Sequence, residues 1–193
     1  MATLKQIQRR QNIRMAEGFL DLATVMDDQW PLNDELKKSL ANRAIEKLES
    51  VKNPMGHKPY VLFLKGQACR TSNRPRRAIH FLEQSKKLDP DNLHTYLALA
   101  WCYKRTNQLP LAIESMQAAV ELNSESAISH YNLACYCALQ FDVNSALMHL
   151  TFALDLNPEL RTHVSTDSDF DLIRKNPGFA IIAVVPADSY PQS

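Results

Sequence analysis

Three stretches decide the fold: 78-AIHFLEQSKKLDPDN-92, 112-AIESMQAAVELNSES-126 and 146-ALMHLTFALDLNPEL-160. They begin 34 residues apart and repeat the same columns of small and large residues. These columns are Ala78, Ala112 and Ala146; Leu82, Met116 and Leu150; Ser85, Ala119 and Ala153; and Leu88, Leu122 and Leu156. Such a period indicates stacked helical units, because one helix pair cannot bury its own apolar face.

Each unit also contains an upstream helix and a turn. The small residues Gly66, Ala100 and Ala134 recur at one offset, each a few positions after large side chains. The segments SNRP, TNQLP and QFDVN then place Asn, Pro or Asp between two helical patterns, and proline suits the first turn of a helix. The second helix of each unit is therefore predicted to begin near residues 75, 109 and 143.

The order of these columns resembles the tetratricopeptide repeat (TPR), with units at 59–92, 93–126 and 127–158. Departures are modest, such as Lys65 in a leucine column and Ser124 in place of the closing proline. The resemblance implies an all-α fold, a right-handed superhelical solenoid of helix-turn-helix units.

The rest of the chain predicts caps for this repeat block, which spans 57–158. Residues 1–56 read as an N-terminal helical hairpin, a degenerate repeat or cap, because Ala44 and Leu48 lie 34 positions before two repeat columns. Residues 159–186 resemble the helical segment that follows the last repeat in many bacterial TPR proteins, and we expect a C-terminal cap there. The polar segment 187–193 is expected to form a loose tail.

Composition disfavours membranes and nucleic acid as partners. Lys and Arg number 22 and Asp and Glu 21, so the net charge of +1 supplies no global field. No apolar run approaches the roughly 20 residues of a membrane span. The stretch Met1 to Arg14 lacks the apolar centre of a secretory signal. We therefore expect a cytoplasmic protein.

No catalytic or metal site is expected, and no cofactor. The four glycines are isolated, which excludes a phosphate-cradling loop, and the six histidines are scattered singly. Cys135 and Cys137 lie on different faces of one helix, and the carboxylates around Asp169 lack the glycine and glutamate of an EF-hand. All four cysteines fall in apolar helical segments, which predicts buried reduced thiols.

The resemblance also implies which residues line a concave groove, since positions 2, 5, 9 and 12 of each repeat face it in the family. The candidate partner-binding residues are Tyr60, Phe63, Gln67, Arg70, His94, Leu97, Trp101, Lys104, Ile128 and Tyr131. Aromatic rings supply contact area and the basic residues could meet a carboxylate. The alternative for each ring is burial beneath the capping segments.

The family's clamp for a chaperone carboxyl terminus is not matched here. The corresponding positions hold Phe63, Gln67, Ala98, Ile128 and Asn132 instead of its lysines, asparagines and arginine. An apolar or extended segment is therefore the better expectation.

These features predict a protein-protein interaction adaptor or scaffold that binds a peptide segment or partner surface in the groove. The alternative is a structural subunit of a larger assembly whose groove is permanently occupied. A nucleic-acid factor using Arg74, Arg76 and Arg77 is a third, weaker hypothesis. Residues 57–92 carry a net +5 and residues 127–193 a net −4, which also permits self-association.

Overall fold

A computed structural model describes residues 3–29, 33–52 and 54–184 of the chain. In these ranges the protein is all-α, with ten α-helices joined by short turns and no strand. The helices are α1 (Leu4–Gln29), α2 (Asp34–Glu49), α3 (Lys58–Thr71), α4 (Pro75–Leu88), α5 (Leu93–Arg105), α6 (Leu109–Leu122), α7 (Ala127–Leu139), α8 (Val143–Leu156), α9 (Arg161–Val164) and α10 (Pro177–Val184).

The predicted starts of the second helices are confirmed. Helices α4, α6 and α8 begin at Pro75, Leu109 and Val143. The boundaries proposed for caps and repeats stay predictions, and the tail at 187–193 lies outside the described residues. No described helix is long and apolar enough to cross a membrane.

The chain forms two compact units, Met1–Thr106 and Asn107–Ser193. In the first unit α1 packs on α2, α2 on α3, α3 on α4 and α4 on α5, and α1 also contacts α3. In the second unit α6 packs on α7 and α7 on α8, while α10 contacts α8. Each unit thus has its own core of paired helices.

Three of the four repeated columns are packing positions of these cores, whereas the fourth, Leu88, Leu122 and Leu156, is 50%, 39% and 44% exposed. Ala78, Ala112, Ala146, Leu82 and Leu150 expose none of their surface. The four cysteines are free and buried, as the sequence predicted.

In the first unit, Gly66 shows how closely paired helices approach. A Cβ at position 66 would lie 2.5 Å from Cγ of Leu82 on α4, well inside van der Waals contact. Glycine therefore lets α3 and α4 meet at this point. The Ser85 hydroxyl on α4 also donates to the carbonyl of Pro59 on α3 at 2.8 Å, which is a second contact between the two helices.

The turn before each second helix contains one residue in the left-handed backbone region. These residues are Asn73, Asn107 and Phe141, with φ of 56°, 60° and 63°. Asparagine tolerates this conformation, whereas a bulky side chain in it is strained. The Phe141 side chain is also 65% exposed, so packing does little to offset the strain.

Replacing Phe141 with Asn should raise the free energy of unfolding of the second unit by about 1 kcal/mol, because it relieves this strain. Urea denaturation followed by circular dichroism measures the change. The matched reverse variant, Asn107→Phe, should lower stability by a similar amount. Equal stability of the native chain and Phe141→Asn would show that the turn is not strained.

A pair of histidines is part of the second unit's core. Nδ1 of His130 on α7 lies 3.0 Å from Nδ1 of His149 on α8, and Nε2 of His130 lies 3.1 Å from the carbonyl oxygen of Ser124. One proton between the two Nδ1 atoms satisfies this arrangement, whereas two charged rings would repel. Burial, followed by the neighbouring His130, lowers the pKa of His149, although Asp142 opposes the shift.

Because the pKa of His149 is lower in the folded chain than in the unfolded chain, the free energy of unfolding depends on pH. Below about pH 6.5, the ordinary histidine value, the unfolded chain binds a proton at His149 more readily than the folded chain. The free energy of unfolding should therefore fall as pH drops below about 6.5 and be independent of this group above it. Urea titrations between pH 7.5 and 5 check this, with His149→Gln reducing the slope. The exposed His163, changed to Gln, is the control for the loss of one histidine side chain.

Candidate functional site

A cavity of about 760 Å³ opens in the first unit between one face of α1 and one face of α3, at the start of α5. We call it the α1–α3 cavity. Its walls follow helical spacing on both sides, with α1 and α3 each contributing residues from successive turns. It is lined by Glu17, Leu20, Asp21 and Thr24 from α1, by Tyr60, Phe63, Leu64, Gln67, Arg70 and Thr71 from α3, and by His94 from α5.

The α1 wall is acidic. Glu17 and Asp21 lie one turn apart, so both carboxylates line the same cavity. Tyr60 hydrogen-bonds to Glu17 across the cavity, its hydroxyl donating to the carboxylate. Burial, this hydrogen bond and the two negative charges raise the pKa of Tyr60 to about 12. The phenol therefore stays protonated and remains a donor to Glu17 at neutral pH.

The α3 wall begins with two aromatic rings. The rings of Tyr60 and Phe63 are stacked, with centroids 6.3 Å apart and planes 20° from parallel. Tyr60 is 40% exposed and Phe63 is partly exposed, so both can offer surface to a bound molecule. Beneath them Leu20 and Leu64 are buried and hold the two helices together.

Gln67 lies one turn further along α3 and contributes a polar atom without a partner. Among the described residues, only its Oε1 atom and Oγ1 of Thr95 are buried side-chain N or O atoms with no hydrogen-bond partner. A buried amide oxygen without a donor costs free energy, so such atoms are uncommon in folded proteins. Gln67 also lines the cavity, so a ligand that enters it could supply the missing donor.

The basic side chain of Arg70, predicted for the groove, is engaged within the first unit. The guanidinium carbons of Arg70 and Arg105 lie 5.7 and 5.6 Å from the centroid of the Trp101 ring. Trp101 is thus held by two cations and does not line the cavity. Lys104 likewise has an intramolecular contact, and it is not among the residues that line the cavity. Leu97 is partly exposed on α5 but is not among the cavity residues.

The predicted residues of the third repeat lie in the second unit, in a different setting. Ile128 is 47% exposed on α7. Tyr131 is only 6% exposed, and its hydroxyl donates to Oδ2 of Asp167 at 3.0 Å. Its ring meets the edge of Phe170 at 5.8 Å between centroids. The segment after the last repeat therefore covers Tyr131, as the alternative for the aromatic residues anticipated, while partner binding by Ile128 and Tyr131 stays a prediction.

Beside Tyr131 lies the one group of potential metal ligands in the part of the chain that the structure describes. The Cys135 sulfur and one carboxylate oxygen each of Asp167 and Asp169 lie within 4.8 Å of one another. Asp167 already accepts from Tyr131, from the Cys135 thiol at 3.6 Å and from the backbone N–H of Asp169 at 3.0 Å. These internal hydrogen bonds account for the cluster, which joins α7 to the terminal segment.

Five of the ten residues predicted from the sequence line this cavity: Tyr60, Phe63, Gln67, Arg70 and His94. The sequence analysis missed Glu17 and Asp21, because they belong to α1, which does not follow the repeat along its length. The signal that could have found them is their spacing of four residues on a helix next to the apolar positions Leu20 and Ala23, which are buried.

Comparisons with known proteins agree with this architecture. A sequence model described as tetratricopeptide repeat matches residues 59–92 and 93–126, the same bounds as the first two predicted units. A comparison with curated proteins found no match.

Several solved structures are similar in fold. One is described as YrrB, a TPR protein with an unusual peptide-binding site, with 16% identity, coverage of 81% of this chain and 87% of that chain, and a TM-score of 0.60. Another is a MamA fragment from Desulfovibrio magneticus RS-1, with 21% identity, coverage of 87% and 99%, and a TM-score of 0.58. A third is the first TPR of Spaghetti (RPAP3) bound to the HSP90 peptide SRMEEVD, with 19% identity, coverage of 61% and 87%, and a TM-score of 0.52.

At these identities the likeness concerns the fold alone, and it covers most of the described helices. Together with the two matched repeats and the helical hairpins, it confirms the fold class predicted from the sequence. Residues 59–126 of the chain are thus two tetratricopeptide repeats.

Proposed function

We propose that this protein is an adaptor that binds an extended segment of a partner polypeptide in the α1–α3 cavity. The tetratricopeptide repeat fold is typical of proteins that bind other proteins, which supports this role. Two of the similar structures are described as having a peptide-binding site or a bound peptide. We also propose the cytoplasm as its compartment, in keeping with four free, buried cysteines.

The observation that carries the proposal is the combination of exposed aromatic surface and an unpartnered buried acceptor in one cavity. Tyr60 and Phe63 offer apolar area with few rotamers to immobilise, which favours binding. Gln67 offers an amide oxygen that has no hydrogen-bond partner in the described residues. A peptide backbone N–H or a donor side chain would supply this partner.

The cavity also has the size of a binding site for part of a peptide. Its volume of about 760 Å³ falls in the range of known ligand pockets, roughly 300 to 1,000 Å³. The lining is of mixed character, with aromatic, apolar, acidic and basic residues on facing walls. Such a lining suits a chain segment with several side chains better than one small apolar ligand.

A structural subunit remains the second candidate function, and the surface of the second unit favours it. Met148, Phe152 and Leu156 follow one another at intervals of four along α8, and each is about half exposed. A permanent partner would cover this stripe. A structural subunit would be found in a stoichiometric complex with its partner, and this complex would persist when the cavity residues are substituted.

Selection from a random 12-residue peptide library on the immobilised full-length protein should enrich a consensus. The variant Phe63→Ala should bind the selected peptides at least about tenfold more weakly, because a central aromatic contact is worth more than about 1.4 kcal/mol. Fluorescence anisotropy measures the dissociation constants. The control Phe152→Ala removes an aromatic ring from the second unit and should change affinity less than about twofold; equal losses in both variants would contradict the proposal.

The variant Gln67→Met should separate stability from binding. Removing an unpartnered buried amide should raise the free energy of unfolding by about 1 kcal/mol, while peptide affinity should fall because the ligand loses its acceptor. Urea denaturation and anisotropy give the two values. Gln84→Met on α4, where the amide nitrogen already donates to the His80 carbonyl, is the matched control. Unchanged peptide affinity in Gln67→Met would show that this amide does not contact the ligand.

A further inference from the structure

The α1–α3 cavity presents hydrogen-bond acceptors on facing walls. Glu17 and Asp21 contribute carboxylates from α1, and Gln67 contributes its unpartnered amide oxygen from α3. The donor of Tyr60 is already committed to Glu17. A ligand group that carries several N–H donors and a positive charge would complement these acceptors.

From this arrangement we infer that the cavity recognises a lysine or arginine side chain of the bound peptide, seated between Glu17 and Asp21 of α1 and Gln67 of α3. The inference rests on the proposed function, since it names the chemistry of the segment that the cavity takes. A peptide with a basic residue is the one occupant to which it commits.

The stacked rings strengthen the preference for a cation. Tyr60 and Phe63 border the acidic wall, and the faces of aromatic rings attract ammonium and guanidinium groups. The methylene stem of a lysine or arginine can also lie along these rings while its charged end reaches the carboxylates. An acidic side chain at this place would be repelled by the two carboxylates, and a purely apolar one would bring no donor to them.

The protein's own cations lie around this acidic wall. On α1, Arg10 and Arg14 line a separate cavity of about 320 Å³ with Glu17, Tyr60 and His57. On α3, Arg70 lines the α1–α3 cavity together with Asp21 and stacks on Trp101. Glu17 thus lies between the two cavities, whereas Asp21 and Gln67 line only the α1–α3 cavity among these described pockets. The basic side chain of a ligand is therefore placed at the Asp21 end of the wall.

The experiment uses the full-length protein and peptides selected from the random library. In the strongest binder, each Lys or Arg is changed in turn to Gln, which keeps polarity and removes charge. One of these changes should weaken binding to the native protein about tenfold. In the double variant Glu17→Gln and Asp21→Asn, the same peptide change should alter affinity less than about twofold, because the complementary charges are gone. Gln at position 17 still accepts from Tyr60, so the wall keeps that hydrogen bond.

A matched control corrects for net charge. Glu35 and Glu46 are exposed on α2, in the same unit and outside the cavity. The double variant Glu35→Gln and Glu46→Gln changes net charge equally and should retain the tenfold difference between basic and neutral peptides. Thermal unfolding by circular dichroism confirms that all variants fold.

The outcomes distinguish the two proposals. Selected peptides without a basic residue, or a basic residue whose loss has the same effect on the native protein and on the Glu17 and Asp21 variant, would overturn the inference while leaving the peptide-binding function in place. If the library yields no consensus at all, the proposed function fails and the inference fails with it.

Discussion

Close contact between paired helices is the constraint on which the rest of the structure depends. Gly66 lies so near Leu82 that a single added carbon would overlap it, and the alanines at 78, 112 and 146 have no exposed surface. These contacts fix the rotation of each first helix about its axis, because the small residues must face the second helix. The opposite face of α3 is thereby presented to α1, and the α1–α3 cavity forms between them.

The site is therefore a product of the repeat and of a helix outside it. The first matched repeat supplies Tyr60, Phe63 and Gln67, at positions that the resemblance to the family predicted to line a groove, and α1 supplies the acidic wall. Fold and specificity therefore depend on different residues. The columns that hold the hairpins together are buried, whereas the proposed preference for a basic side chain depends on α1, which does not follow the repeat. An unpartnered amide at Gln67 fits a site that is less stable empty than occupied.

Local periodicity explains what the sequence could predict. The helix starts at Pro75, Leu109 and Val143 follow from turn residues and from columns that recur every 34 positions, which are short-range signals. Contacts between distant segments carry no such signal. Tyr131 meets Asp167 across 36 positions, so nothing local distinguished its burial from a groove position. The acidic wall was missed for the same reason, because α1 faces α3 only after folding. Family positions pointed to Trp101, but the arginines that hold its ring emerge only from the structure.

We propose that α1 forms one wall of the binding site. Photo-crosslinking tests it most directly, with a benzophenone amino acid placed next to the basic residue of the selected peptide and the attachment sites identified by mass spectrometry on the full-length protein. If α1 and α3 form the site, the peptide attaches within residues 17–24 and 60–71. Attachment confined to α8, or to faces of α3 away from α1, would contradict it.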